Sequence, residues 1–151
     1  MITFHVEPFS EFVNEAKPMF SDHWQELALN KDHVPLDPQY EVYFERERNG
    51  GVMVITARED AKLCGYFIGF VAPGLHYRTC LTLTMDIFWV HPDHRGAGIG
   101  FHLFKAVEKE ARRRGIQRMF VGSKLHKDAS WLFEKLGYEE VERYYSLWMG
   151  Q

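Results

Sequence analysis

The sequence predicts an α/β layered fold, a mixed sheet flanked by helices, and three observations point there. From residue 81 onward, segments of β-forming residues alternate with amphipathic helical patterns. One of those strands runs directly into a helix through Arg95-Gly96-Ala97-Gly98-Ile99-Gly100. The 151 residues, 46% hydrophobic and 15% aromatic, suffice for one sizeable core, so a single domain spanning residues 1–151 is expected.

Residues 2–6 alternate as a short first strand. Phe9, Phe12, Val13, Ala16 and Phe20 then recur at helical spacing, and Pro18, which has no N–H to continue the ladder, is expected to end or kink that helix. A second helical piece over residues 22–29 carries Trp24 and Leu27. Asp37 and Pro38 have the chemistry of an N-cap and a first helical residue for a helix through Tyr40, Tyr43 and Phe44, which Asn49-Gly50-Gly51 stops. Residues 52–58 and 62–71 are rich in β-formers and should pair as a hairpin around Glu59-Asp60-Ala61.

Residues 81–90 form the strand that feeds the glycine loop. Strict alternation places Leu81, Leu83, Met85, Ile87 and Trp89 on a core face, with Thr82, Thr84, Asp86, Phe88 and Val90 opposite. The next helix sets Ile99, Leu103, Val107 and Ala111 on one stripe and closes with Arg112, Arg113 and Arg114 before Gly115. Cations suit the negative end of the helix dipole, and a glycine suits the left-handed turn that follows. Residues 118–121 are the next strand, 128–136 the last helix, and 138–149 the closing strand or strands.

Glycines let a backbone approach a ligand closely, and a helix start offers unpaired N–H groups with partial positive charge. The natural guest of residues 95–100 is therefore a pyrophosphate. A Walker loop is excluded because no Lys in the chain is followed by Ser or Thr. A dinucleotide fingerprint is excluded because Phe101 stands where its third glycine belongs and no acid lies near positions 117–121 to hold a ribose.

Val90-His91-Pro92, followed by Arg95 through Gly100, resembles the acetyl-CoA loop of the GNAT family of N-acetyltransferases. Asp128-Ala129-Ser130-Trp131-Leu132-Phe133-Glu134-Lys135-Leu136-Gly137-Tyr138 resembles that family's last helix, usually a small residue, a tyrosine, Glu-Lys-Leu-Gly and an aromatic. The resemblance implies the acyl-CoA N-acyltransferase fold: a mixed, mostly antiparallel central sheet of about six or seven strands flanked by helices. Strands four and five, here residues 81–90 and 118–121, would splay to admit the pantetheine arm. It also implies acetyl-CoA as cofactor and acyl donor. Backbone groups around Phe88, Trp89 and Val90 would hold the arm, and the amides of Arg95, Gly96, Ala97, Gly98, Ile99 and Gly100 would hold the diphosphate. His126 stands where the family often carries an asparagine against the arm, and Phe133 where it carries the tyrosine.

Acetyl transfer to an amine needs a base, donors for the developing oxyanion and a fate for the thiolate. By resemblance, a strand N–H near Val90 serves the oxyanion. Asp86 is the first choice of base, because carboxylates are disfavoured inside strands. Alternation sets it on the face of Val90, about 13 Å upstream at ~3.3 Å per residue, a distance suited to relay through water. The alternative for Asp86 is a carboxylate that bonds backbone or caps a bulge. Glu26, Asp32, Glu41 and Glu45 are rivals, as bases or as seats for an ammonium. Phe133 has no hydroxyl, which leaves Ser130, Tyr138, Tyr144 or a water to protonate the leaving group. A thiol with a pKa of about 8.5 also leaves passably unaided. The missing tyrosine keeps a second reading open, an acyl-CoA-binding module with weak or no catalysis.

Charge is unevenly divided. Residues 1–60 hold 12 acidic and 5 basic side chains, whereas residues 61–151 hold 9 acidic and 13 basic. A basic half suits an anionic donor and an acidic half suits a cationic primary-amine acceptor, while nucleic acid is disfavoured. Apolar runs fall far short of the ~20 residues of a membrane span, and the N-terminus lacks a basic leader pattern, so cytoplasmic residence is the default expectation. Cys64 and Cys80 read as buried thiols. His91 and His94 have no further ligands at metal-binding spacing, so no metal is expected. Trp131 lies off the apolar stripe of its helix and marks either a homodimer contact or the rim of the cleft.

Overall fold

Five strands pair in chain order into one sheet in the computed structural model, which describes residues 1–150. They are β1 (Ile2–Val6), β2 (Val52–Glu59), β3 (Lys62–Gly74), β4 (Tyr77–Val90) and β5 (Arg118–Phe120). All neighbours are antiparallel except β4 and β5. Helices α1 (Phe9–Leu27) and α2 (Tyr40–Arg48) cover one face, and α3 (Ile99–Arg113) and α4 (Ser130–Lys135) the other.

Period-two patterning on β2 explains the layering. Val52 and Val54 pack with Phe9, Phe12, Val13, Ala16 and Phe20 of α1, while Met53, Ile55 and Ala57 pack with Leu103, Phe104 and Val107 of α3. Each large side chain so buried contributes roughly 1.5–3 kcal/mol. Side chains of α2 and β2 fix the start of α1. Glu47 of α2 accepts the N–H groups of Phe9 and Ser10 at its start, where the N-cap position is Pro8 and no side chain of its own serves. Arg58 of β2 bonds Glu7 before the helix and Glu15 within it.

Four expectations are corrected. α1 does not end at Pro18 but runs on as one helix to Leu27, because its buried stripe continues past the proline to Phe20 and His23 and offsets the one lost backbone bond. α2 begins at Tyr40 behind Gln39, and no side chain caps it, since residues 37–39 are not helical. Among the described residues the sheet has five strands rather than six or seven. Residues 139–150 join no ladder, and Val141, Tyr144, Tyr145 and Leu147 stand 71 to 91% exposed. β-forming composition does not by itself make a strand.

The fourth correction concerns β4. Ile68 pairs with Ile87 but Gly69 pairs with Met85, so Asp86 is an extra residue, a bulge. Alternation reverses across it: Leu83, Met85, Phe88 and Val90 face α3, whereas Ile87 and Trp89 face α1. Gly69, opposite the bulge, has no room for a side chain. A Cβ there would meet Leu83 Cδ1 at 2.6 Å and Phe67 Cε1 and Cζ at 2.9 Å, all in the buried core. Gly69→Ala is therefore expected to cost about 1–3 kcal/mol of stability by overpacking, measured by urea denaturation.

Candidate functional site

Beyond Val90 the chain makes a single 3-10 turn, Pro92–His94, and then a left-handed step at Gly96 (φ 89°) and another at Gly98 (φ 74°) before α3 begins. Residues with a Cβ rarely adopt these angles. The first helical bond runs from His102 N–H to Gly98 O, and no side chain caps the helix. The N–H groups of Ile99, Gly100 and Phe101 thus lack helical acceptors. The loop surface is open: nothing lies within 4 Å of where a Gly96 Cβ would stand, and only His102 Cδ2, at 3.8 Å, approaches that of Gly98. Lys105 and Lys135 place ammonium groups 5.6 and 5.2 Å from the ring of Phe101 in the first turn. Unpaired amides, open space and cations together fit a diphosphate.

β5 pairs with β4 only at Thr82, Thr84 and the intervening Leu83. β4 continues from Met85 to Val90 with no strand paired on that side among the described residues, so an open edge leads from the end of β5 toward the glycine loop. Behind this open edge Phe88 packs edge-on against Phe104 at 4.9 Å and Phe133 at 5.9 Å. Phe133 is 6% exposed, a core ring and not a surface group. Tyr138 lies 5.8 Å from it, with its hydroxyl directed at Met119 Sδ, 3.8 Å away. Burial pushes the Tyr138 phenol up to about 12, so it keeps its proton at neutral pH. Of the other proton sources, Ser130 donates to Asp128 Oδ2 in the cap of α4, and Tyr144 is 90% exposed. His126 is exposed in the loop before α4.

Asp86 turns toward the helices α1 and α2. Its Oδ2 accepts a hydrogen bond from the Tyr43 hydroxyl, whose ring stacks on Phe9 at 4.7 Å. The bulge therefore sets Asp86 and Val90 on opposite faces, contrary to the alternation expected. Burial holds the Asp86 carboxyl above its ordinary value despite that hydrogen bond, and raises the Tyr43 phenol as well. A half-buried carboxylate of raised pKa is a competent proton acceptor. Asp32, Glu41 and Glu45 are exposed.

Glu26 is differently placed. Its carboxylate receives Arg95 Nη1 at 2.6 Å, Arg95 Nη2 at 2.5 Å and Trp89 Nε1 at 2.7 Å, with Lys127 Nζ 3.9 Å away. The Arg95 hydrogen bonds, more than any other influence, hold Glu26 down at about 2. A carboxylate so engaged is a poor base. Arg95 also donates from Nε to Val90 O at 2.9 Å, and its backbone N–H bonds Pro92 O. Next to this knot the Trp89 indole stacks on His23, whose Nδ1 lies 2.8 Å from the Tyr66 hydroxyl. Burial lowers His23 to about 4, which leaves it neutral. An open concavity of about 340 Å³ lies alongside, lined by Asp22, Gln25, Glu26, Trp89, His91 and Pro92. Sequence reasoning missed the Tyr43 hydroxyl and the Glu26–Arg95 pair. Both join residues more than 40 positions apart, and no local pattern announces such contacts.

The chain matches the model of the Acetyltransferase (GNAT) family over residues 10–138. No curated protein matches it. Among solved structures it is similar to a ribosomal-protein-alanine N-acetyltransferase from Brucella melitensis biovar Abortus 2308, at 20% identity and a TM-score of 0.77, covering 100% of this chain and 99% of that one. An aminoglycoside acetyltransferase from an uncultured soil metagenomic sample is similar at 15% identity and a TM-score of 0.76, with 99% of each chain covered. A predicted acetyltransferase with acetyl-CoA from Clostridium acetobutylicum is similar at 16% identity and a TM-score of 0.66, over 97% of this chain and 96% of that one.

The depressed Glu26 pKa fixes the sign of a pH effect. A carboxyl whose folded value lies below its unfolded one stabilises the fold above the unfolded value, and that contribution fades as pH falls toward the folded value. The stability difference between wild type and Glu26→Gln, measured by urea denaturation, should be full at pH 7 and shrink as pH drops from about 4.5 toward about 2.

Proposed function

The chain belongs to the GNAT acetyltransferase family, and on that premise we propose that it transfers an acetyl group from acetyl-CoA to a primary amine by direct attack in a ternary complex. One observation carries this reading: the unpaired amides of the glycine loop lie at the end of a strand edge that has no neighbour from Met85 to Val90.

The amides of Gly96 through Phe101 would hold the diphosphate, and the backbone of Phe88 and Val90 on the open β4 edge would hold the arm. Bound there, acetyl-CoA supplies an activated acyl group on a thiolate that leaves readily. Asp86 takes the first proton of the ammonium, directly or through water, and the neutral amine then attacks the thioester carbonyl; as the C–N bond forms and the C–S bond breaks, the second nitrogen proton replaces the one given to the departing thiolate. Tyr43 fixes the carboxylate by binding Oδ2 and leaves Oδ1 for the proton. A free N–H on the β4 edge near Val90 would face the developing oxyanion. Tyr138, whose ring packs against Phe133 and whose phenol keeps its proton at neutral pH, would stand in for the missing tyrosine as proton source for the thiolate, its hydroxyl turning from Met119 Sδ to do so. The acidic N-terminal half favours a cationic acceptor, and the amine substrates named for the similar Brucella and soil enzymes support the same class.

A second reading, an acyl-CoA-binding module with little or no turnover, is favoured by the hydroxyl-free ring at position 133. CoA release across polyamines, aminoglycosides, amino acids and peptides separates the two: acetyl-CoA binding without release for any acceptor establishes the second.

Two variants test the machinery. Gly98→Val forces a β-branched residue to φ 74°. It should weaken acetyl-CoA binding at least tenfold by calorimetry, and unchanged binding would remove the loop from the site. Asp86→Asn removes a carboxylate whose ionised form is burdened by burial at neutral pH, while the amide still accepts from Tyr43. Thermal stability at pH 7 should hold or rise, and kcat should fall about 10²–10⁴-fold. A fall in stability with unchanged kcat would make Asp86 a structural residue.

A further inference from the structure

We propose that Glu26 is a positioning residue, not a base: together with Arg95 it forms a latch that holds the glycine loop in its ligand-ready shape. The inference rests on the reading of that loop as the acetyl-CoA diphosphate site.

Arg95 immediately precedes Gly96, the first left-handed residue of the loop. Its guanidinium is held at three points, by both Glu26 oxygens and by the carbonyl of Val90, the last residue of β4. Glu26 lies in the last turn of α1 and is itself tied to β4 by the Trp89 indole. Three separate pieces of chain, the end of α1, the end of β4 and the start of the loop, thus meet on one carboxylate. A planar fork gripping two carboxylate oxygens fixes orientation as well as distance. That suits an entry residue, because the two glycines after it offer little resistance to other shapes. Glu26 is only 18% exposed, and its charge is already matched by Arg95, with Lys127 close by. Both oxygens are already engaged by Arg95, which makes Glu26 a poor proton acceptor.

The opposite arrangement would have Arg95 grip the phosphate with its own charge, and the two differ in the sign of one measurement. If Arg95 acts through the latch, Glu26→Gln loosens the loop and weakens CoA binding. If Arg95 acts on the phosphate, Glu26→Gln frees a cation beside the site and tightens binding.

The experiment is calorimetric titration of CoA, which cannot react, into wild type, Glu26→Gln, Arg95→Gln and the double variant, each first shown to be folded by thermal melting. The latch predicts that each single change weakens binding about three- to tenfold and that the double variant is no weaker than the worse single, since both remove the same contact. Should Glu26→Gln fail to fold, Arg95→Lys carries the test. It keeps the charge but not the fork, so the latch predicts a comparable loss, and affinity equal to wild type overturns it. CoA binding by Glu26→Gln as tight as wild type, or tighter, overturns the latch and leaves the donor site standing. No binding by wild type overturns the donor reading, and the latch with it.

Discussion

A strand normally has both of its backbone edges paired, covered or blunted, because open N–H and C=O groups are a liability. β4 breaks that pattern over its last six residues and keeps only the ladder to β3 there. The long antiparallel pairing with β3, from Gly74 to Gly65 along its length, makes this arrangement affordable. Once the last stretch of β4 stands without β5, its backbone groups on that side are left for another partner, and the glycine loop follows from the end of that edge.

The bulge at Asp86 does the second part of the arranging. An extra residue lets one strand send Phe88 and Val90 into the α3 layer and Trp89 into the α1 layer, and turns a carboxylate toward Tyr43 between them. A regular strand could not present a half-buried acid on one side while keeping an unbroken aromatic packing of Phe88, Phe104 and Phe133 on the other. The cost is local crowding, which Gly69 absorbs from the neighbouring strand.

Much of this is legible in the residues themselves. The glycine loop and α3 can be read directly, because turn chemistry, helical spacing and a terminal run of arginines agree over a short stretch. β2 and β3 announce themselves by their richness in β-formers around a short turn. What fails is whatever depends on distant partners. Pro18 breaks a helix only where tertiary packing does not override it, and the stripe through Phe20 and His23 does. Residues 139–150 have strand-like composition yet join no ladder, and composition alone does not tell whether a segment docks on an edge. Strict alternation in residues 81–90 misplaces Asp86 because nothing in the run itself marks the inserted residue. The carboxylate of Glu26 gives no sign that it belongs to a guanidinium 69 positions away.

The two ends of α1 have something in common. Glu47 grips the first amides of the helix, and Glu26, one residue from its other end, grips Arg95. The helix is a strut of set length and phase between two moorings. Adding or deleting one residue anywhere between Ser10 and Gln25 would swing one mooring about 100° around the axis and shift it about 1.5 Å along it. The exposed side chains of α1 can drift over evolution, but its residue count cannot, and this segment should resist insertions that a surface loop would accept.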